Sequence, residues 1–201
     1  MKNINILLFA ATAAFMTSCG GSDVAEETEV EIEPVTYSLN VEASNLEWQG
    51  KKNQGNDKHV GYVKFNSGSA VVTGDVLTSG EFVIDMNSIA TSDALPAEVK
   101  EKLNGHLKNE DFFNVAKYPT ATVKVGEMKD GKLSTTVSLM GMEFKNDIPV
   151  KVVVKDDKVN LSGTFDFDFT GLKSMGFMAD PATGEQILSI FSFDLNLELT
   201  K

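Results

Sequence analysis

The chain has 201 residues, 42% of them apolar, and a formal charge of −11. That is enough for one core and short for two, and the apolar fraction excludes a disordered or polytopic protein. All 18 basic residues are lysines; an acidic chain without arginine is poorly suited to nucleic acid, which arginine forks read best, or to a steered anionic substrate.

Residues 1–18 carry one lysine, Lys2, and then an apolar run from Ile4 to Met16. The run is too short to span a bilayer, which takes ~20 apolar residues, and has the proportions of a signal peptide. It ends in Met16-Thr17-Ser18-Cys19, and small residues before the chain's single cysteine resemble a bacterial lipobox. The expectation is a lipoprotein signal peptide over 1–18 and lipidation at Cys19; a plain secretory peptide is the alternative. A lone cysteine also excludes a disulfide within the chain and a cysteine–histidine metal cluster.

Residues 19–35 supply the lipidated cysteine and then a tether. Asp23, Glu26, Glu27, Glu29, Glu31 and Glu33 occur there with no base among them, a like-charged run that repels itself. Gly20 after the cysteine, and the acids themselves, point to an outer-membrane lipoprotein facing the periplasm or the cell surface.

Over 36–201 the period becomes two. Val63 and Phe65 alternate, as do Phe82, Ile84 and Met86; Thr135, Val137 and Leu139; and Ile148, Val150, Val152 and Val154. Leu161, Phe165, Phe167 and Phe169 share one face against Thr164, Asp166 and Asp168. Phe191, Phe193, Leu195, Leu197 and Leu199 do so against Ser192, Asp194, Asn196 and Glu198. One wet and one dry face describe antiparallel sheet. Turn signals are Asn66-Ser67-Gly68, Thr78-Ser79-Gly80, Lys129-Asp130-Gly131 and Asp156-Asp157. The sum is an all-β fold: an antiparallel barrel of about eight strands, though a two-sheet sandwich would show the same period.

One helix interrupts the strands, from Pro96 to about Lys108. Val99, Leu103 and Leu107 recur every four residues as one apolar stripe, and Pro96 suits a first turn. Phe112 and Phe113 follow, then Tyr118-Pro119 and a strand that begins with Ala121, Val123 and Val125. The helix and the aromatic pair are expected to plug one end of the barrel, leaving function to the Phe-rich strands. From the residues alone, the dry faces fit a packed core and a lumen equally well.

Gly105-His106-Leu107-Lys108, Asp111-Phe112-Phe113 and Tyr118-Pro119-Thr120-Ala121 resemble, in order and spacing, the most distinctive stretch of the YceI family. Lys58-His59-Val60-Gly61 is similar to its early His-x-Gly strand, and Leu139-Met140-Gly141 through Ile148-Pro149-Val150 to a later segment. The resemblance runs from about Tyr37 to Leu199. It implies a lipocalin-like barrel whose apolar cavity holds a long-chain lipid, such as a polyisoprenoid or fatty acyl compound. Residues 171–187 depart from the pattern and read as a connecting loop, with a mouth loop as the alternative.

The expected apolar lining is Phe65, Phe82, Ile84, Met86, Val137, Leu139, Phe165, Phe167, Phe169, Phe191, Phe193 and Leu195. His59 and His106 are the only histidines. They fall in the family's structural blocks, and a contact with a ligand headgroup is their functional alternative. They are too few for a metal site, and Ser174 lacks the spacing of a nucleophile elbow. The reading is therefore a lipid carrier or reservoir without catalysis or cofactor, whose partners are a long-chain lipid and, through its anchor, a membrane. A solid-cored surface adhesion module is the alternative.

Overall fold

The computed structural model describes residues 32–54, 57–174, 176 and 178–201. The leader, Cys19 and most of the expected tether lie outside them. Ten strands and one helix follow in order: β1 Pro34–Leu39, β2 Asn45–Lys51, β3 Lys58–Thr73, β4 Val76–Thr91, α1 Ala97–Lys108, β5 Thr120–Lys129, β6 Lys132–Leu139, β7 Met142–Pro149, β8 Lys151–Lys155, β9 Lys158–Asp168 and β10 Ile190–Thr200. β1 thus takes in two residues assigned above to the tether. Pro34 leads it, a position where a proline that cannot donate to the ladder is tolerated.

Every pairing is antiparallel, and the order is β7-β6-β5-β4-β3-β1-β10-β9-β8, with β2 bridging β10 and β3. β1 and β2 share one stave of the barrel. β1 pairs with the Ser69–Thr73 end of β3 and β2 with its Lys58–Val63 end. β7 and β8 share another, because their run passes at Pro149–Val150 from the ladder with β6 to the ladder with β9. Ten strands less two shared positions make a closed barrel of eight staves. Where β7 and β9 face each other without ladder pairs, side chains hold the seam. Phe144 meets Phe169 edge-on with ring centroids 5.2 Å apart, and Asn146 Nδ2–H donates to the Asp166 carbonyl at 3.4 Å.

Two of the four turn signals are turns. Asp130-Gly131 and Asp156-Asp157 join β5 to β6 and β8 to β9, with φ of 50° and 74° at the first pair. Asn66-Ser67-Gly68 and Thr78-Ser79-Gly80 instead lie inside β3 and β4, whose hairpin turns at Gly74-Asp75. The reason is steric. A Cβ on Gly68 would overlap the Phe82 ring, and one on Gly80 would lie 3.0 Å from the Ser69 carbonyl oxygen and 3.3 Å from that ring. These glycines make room for a buried aromatic, and bulges between Phe65 and Ser67 and between Val71 and Val72 curve the long hairpin.

The two ends of the barrel differ. The hairpins β3–β4, β5–β6 and β8–β9 gather at one end together with Pro34. There Val72, Leu77, Leu133, Val159, Leu161 and Leu199 form the most completely buried part of the core. The β2–β3 connection, α1, the β6–β7 hairpin and residues 169–189 gather at the other end. That end is hollow.

Candidate functional site

A cavity of ≈ 340 Å³ opens at this second end, within the range of small-ligand sites. Its walls are apolar from Leu46, Val63, Ile84, Ala121 and Val137 up to Trp48, Met86, Ile89, Leu139, Phe169, Phe191 and Phe193. None of the six large side chains buried at the packed end borders it. Among the described residues, polar side chains enter the lining only as Lys51, Lys52, Asp57, His59 and His106. The first four belong to the β2–β3 connection and its flanking strands, so one end of the cavity is wet and its body is dry.

The β2–β3 wall is shaped by glycines. A Cβ on Gly61 would overlap the Ala90 carbonyl oxygen and the Trp48 ring, and one on Gly50 would lie 2.9 Å from the Phe191 ring. Gly61 thereby lets the indole lie across β3, where Trp48 Nε1–H donates to the Tyr62 carbonyl at 3.2 Å. A buried tryptophan with its one donor satisfied is a wall, not a rim.

His59 is held by a residue that sequence reasoning did not single out. Its Nδ1 lies 2.6 Å from Asp93 Oδ2, while Val60 N–H donates to Asp93 Oδ1 at 3.0 Å. Thr91 Oγ1–H and Ser92 N–H both donate to the Val60 carbonyl at 2.9 Å, and Thr91 N–H donates to Asn104 Oδ1 of α1 at 2.7 Å. The His-x-Gly block is therefore a latch that fixes the β4–α1 connection to β3. Burial opposes the charged form of Asp93, but hydrogen bonds from His59, Val60 and Thr91 outweigh it and hold the carboxyl below its ordinary value of 3.8.

The helix sends Leu103, His106 and Leu107 into the cavity lining, as residues three and four apart on one face must. Val99, expected in the same stripe, is 46% exposed and does not border the cavity. After α1 the chain reverses tightly. Phe113 N–H donates to the Leu107 carbonyl at 3.2 Å, Val115 N–H to that of Lys108 at 3.0 Å, and Asn114 takes φ 45°. The reversal turns Phe112 and Phe113 inward with ring centroids 5.0 Å apart, and His106 meets Phe112 edge-on at 5.8 Å. Both phenylalanines line the cavity.

The described residues of 171–187 form part of the mouth. Leu172 and Ile187 line the cavity, and Lys52 pairs with Glu185 at 2.6 Å, a bond that raises the lysine pKa. Asn53 N–H donates to the Gln186 carbonyl at 2.9 Å and Leu188 N–H to that of Lys51 at 2.8 Å, which straps the segment to the β2–β3 connection. On the other side Gly176 N–H donates to the Asp111 carbonyl at 2.6 Å, and a Cβ on Gly176 would overlap the Phe112 ring.

Of the twelve expected lining residues, Ile84, Met86, Val137, Leu139, Phe169, Phe191 and Phe193 border the cavity, and so do His59 and His106. Phe65, Phe82, Phe167 and Leu195 belong to the core and the partly buried Phe165 packs against it, and none of the five borders the cavity. Phe65 and Phe82 pack edge-on at 6.3 Å, Phe165 lies against Phe193 at 5.8 Å and Phe167 against Phe169 at 4.8 Å. The Leu103–Phe113 run, expected to plug one end of the barrel and to offer His106 as a possible headgroup contact, contributes five lining residues.

The fold has known counterparts. A polyisoprenoid binding domain from Saccharophagus degradans, implicated in plant cell wall breakdown, superimposes with TM-score 0.58 at 19% identity, covering 82% of this chain and 97% of its own. BcnA from Burkholderia cenocepacia gives TM-score 0.56 at 15% identity, covering 80% and 98%. No curated protein matches the chain. The YceI-like domain model matches residues 37–193, from the middle of β1 into β10, and the chain belongs to the YceI-like family.

Proposed function

We propose that the protein binds a single long apolar chain, of polyisoprenoid or fatty acyl type, in the barrel cavity. One observation carries this reading: a ≈ 340 Å³ cavity with a dry body and, among the described residues, polar side chains gathered at its mouth. Each methylene taken from water contributes ~0.8 kcal/mol, so a tail of modest length offsets the ordering costs of binding. The name of the Saccharophagus domain, polyisoprenoid binding, supports the same class of ligand. A solid-cored adhesion module would lack such a cavity.

Lipidation at Cys19 would make the protein an envelope-anchored carrier or reservoir, at the outer membrane and facing the periplasm or the cell surface. The described chain enters the barrel at its packed end, with Pro34 opposite Thr73.

Native mass spectrometry of the full chain recovered from cell membranes tests both parts. A covalent lipid mass on the Cys19 peptide and a second, noncovalent mass lost on denaturation are expected. A barrel that is empty and refuses added fatty acids and isoprenoids removes the binding reading. An unmodified Cys19 in soluble protein removes the anchor.

A further inference from the structure

We infer that the cavity gauges the tail of its ligand, holding about twelve to fourteen carbons above a floor formed by Phe65 and Phe82. A medium-length acyl chain is then held whole, and a longer chain leaves its remainder outside the mouth. This rests on the reading that the cavity holds an apolar chain, and adds to it how much of that chain is held and which residues decide the length.

The inner end of the lining is a layer across four adjacent strands: Val63 on β3, Ile84 on β4, Ala121 on β5 and Val137 on β6. Side chains two apart share a face of a strand, so the next inward positions toward the packed end are Phe65, Phe82, Val123 and Thr135. None of these borders the cavity. Phe65 and Phe82 are buried and meet edge-on at 6.3 Å, which spans β3 and β4 with aromatic rings. The Phe82 ring is wedged against Gly68 and Gly80, where an added Cβ would overlap it or lie 3.3 Å from it. A ring seated against two backbones cannot swing downward to admit a longer tail. The Thr135 hydroxyl donates to the Leu133 carbonyl at 3.1 Å, so this layer turns its polar group back into its own strand and the floor stays dry. Ala121, paired with Ile84, is the smallest side chain of the layer above and leaves the space just over that floor.

Volume sets the length. A dry cavity of about 150 Å³ takes a benzene ring. At ≈ 340 Å³ this cavity is a little more than twice as large, room for about twelve to fourteen carbons on the same scale. A methylene contributes only while it leaves water, so each carbon up to that length tightens binding about fourfold. Carbons beyond it stay in solvent at the mouth and add nothing. A tube open through the barrel would set no such limit, but Val72, Leu77, Leu133, Val159 and Leu199 fill the end beyond the floor.

The test uses the full chain, stripped of endogenous lipid, and straight-chain saturated fatty acids of about 8 to about 20 carbons, a span that brackets the cavity volume. Each competes with the neutral dye N-phenyl-1-naphthylamine at concentrations below micelle formation. Affinity should rise about fourfold per methylene and break to a plateau at about twelve to fourteen carbons. Phe82→Leu replaces a ring of the floor by a smaller side chain, and its break should move about two to three carbons longer. Ala121→Leu fills the space above the floor, and its break should move about as far the other way. A general loss of stability would weaken every tail alike and leave the break in place. Thermal melts check that each variant folds; Phe65→Leu replaces Phe82→Leu if that one does not, and Ala121→Leu decides if neither floor variant folds. Affinity that climbs through the series without a break overturns the gauge and leaves the cavity reading standing. So does a break outside about 10 to about 16 carbons, or one that stays in place in the folded variants. If the dye does not bind, or no acid of any length displaces it, the cavity reading fails, and this one with it.

Discussion

Asp93 couples the mouth of the cavity to the stability of the barrel. Its carboxylate joins β3 to the β4–α1 connection through His59 and Val60 N–H, and its folded pKa lies below the ordinary 3.8. A depressed carboxylate contributes stability that is fully present above the unfolded pKa and is lost as pH falls through the folded one. Replacing Asp93 by Asn should therefore cost about 1–2 kcal/mol near neutral pH, the scale of charge-assisted hydrogen bonds. The difference from the parent should shrink as pH falls below about 4, where the unfolded carboxyl protonates. Urea titrations of both proteins from pH 7 to pH 3 would show it; a gap that widens on acidification contradicts the assignment. His59 and His106 are legible in the sequence because histidine is scarce here. Asp93 is not, since one acid among 29 has nothing local to mark it. Its partner is 34 residues away, across a hairpin and its bulges.

At the scale of elements, glycine carries more of the architecture than turn chemistry does. Gly61 lets two backbones and an indole meet, and an added methyl there would overlap both the Ala90 carbonyl oxygen and the Trp48 ring. Gly61→Ala should destabilise the barrel by about 2–3 kcal/mol, the cost of overpacking a site that cannot yield. That corresponds to a fall in Tm of very roughly 4–12 °C at this size. Differential scanning calorimetry checks it, and a Tm unchanged within a degree would show that the indole moves aside freely. The helix is legible from its four-residue stripe and Pro96, and its N-terminus at Ala97 falls one residue from the expected start. The glycines at 68 and 80 are misleading for a physical reason. Ser-Gly and Asn-Ser-Gly are favoured in turns, yet the same absence of a Cβ is what a neighbouring strand needs when an aromatic ring presses on it. Local composition cannot distinguish the two uses. The 171–187 segment shows the converse: it carries no periodic pattern, yet backbone hydrogen bonds to residues 51–53 and 111 build it into the mouth.

Over residues 32–201 the molecule is a barrel solid at one end and hollow at the other, and the two halves should answer differently to substitution. Leu133→Ala in the packed half should cost about 2–5 kcal/mol by opening a void among fully buried neighbours. Val137→Phe, four residues further along the same strand and bordering the cavity, should fill space instead. It should lower the amount of bound apolar probe at least tenfold while leaving the Tm no lower than the parent's. Thermal melts and probe titrations on both variants decide it; equal loss of stability in the two would mean that the hollow half is as tightly packed as the other. The sequence by itself determines the class of fold, because a period of two with one wet face admits only antiparallel sheet, and its motifs name the family. It also marks which side chains face inward along each strand, since alternation is a local property of the backbone. Only the tertiary structure decides which inward side chains meet one another and which leave room. Phe82 and Ile84 look alike along β4, yet one is packed beneath the cavity against Gly68 and Gly80 and the other lines it. Closure decides the difference: where the hairpins gather, facing side chains fill the barrel, and where a helix and a strapped loop cover its end, they do not.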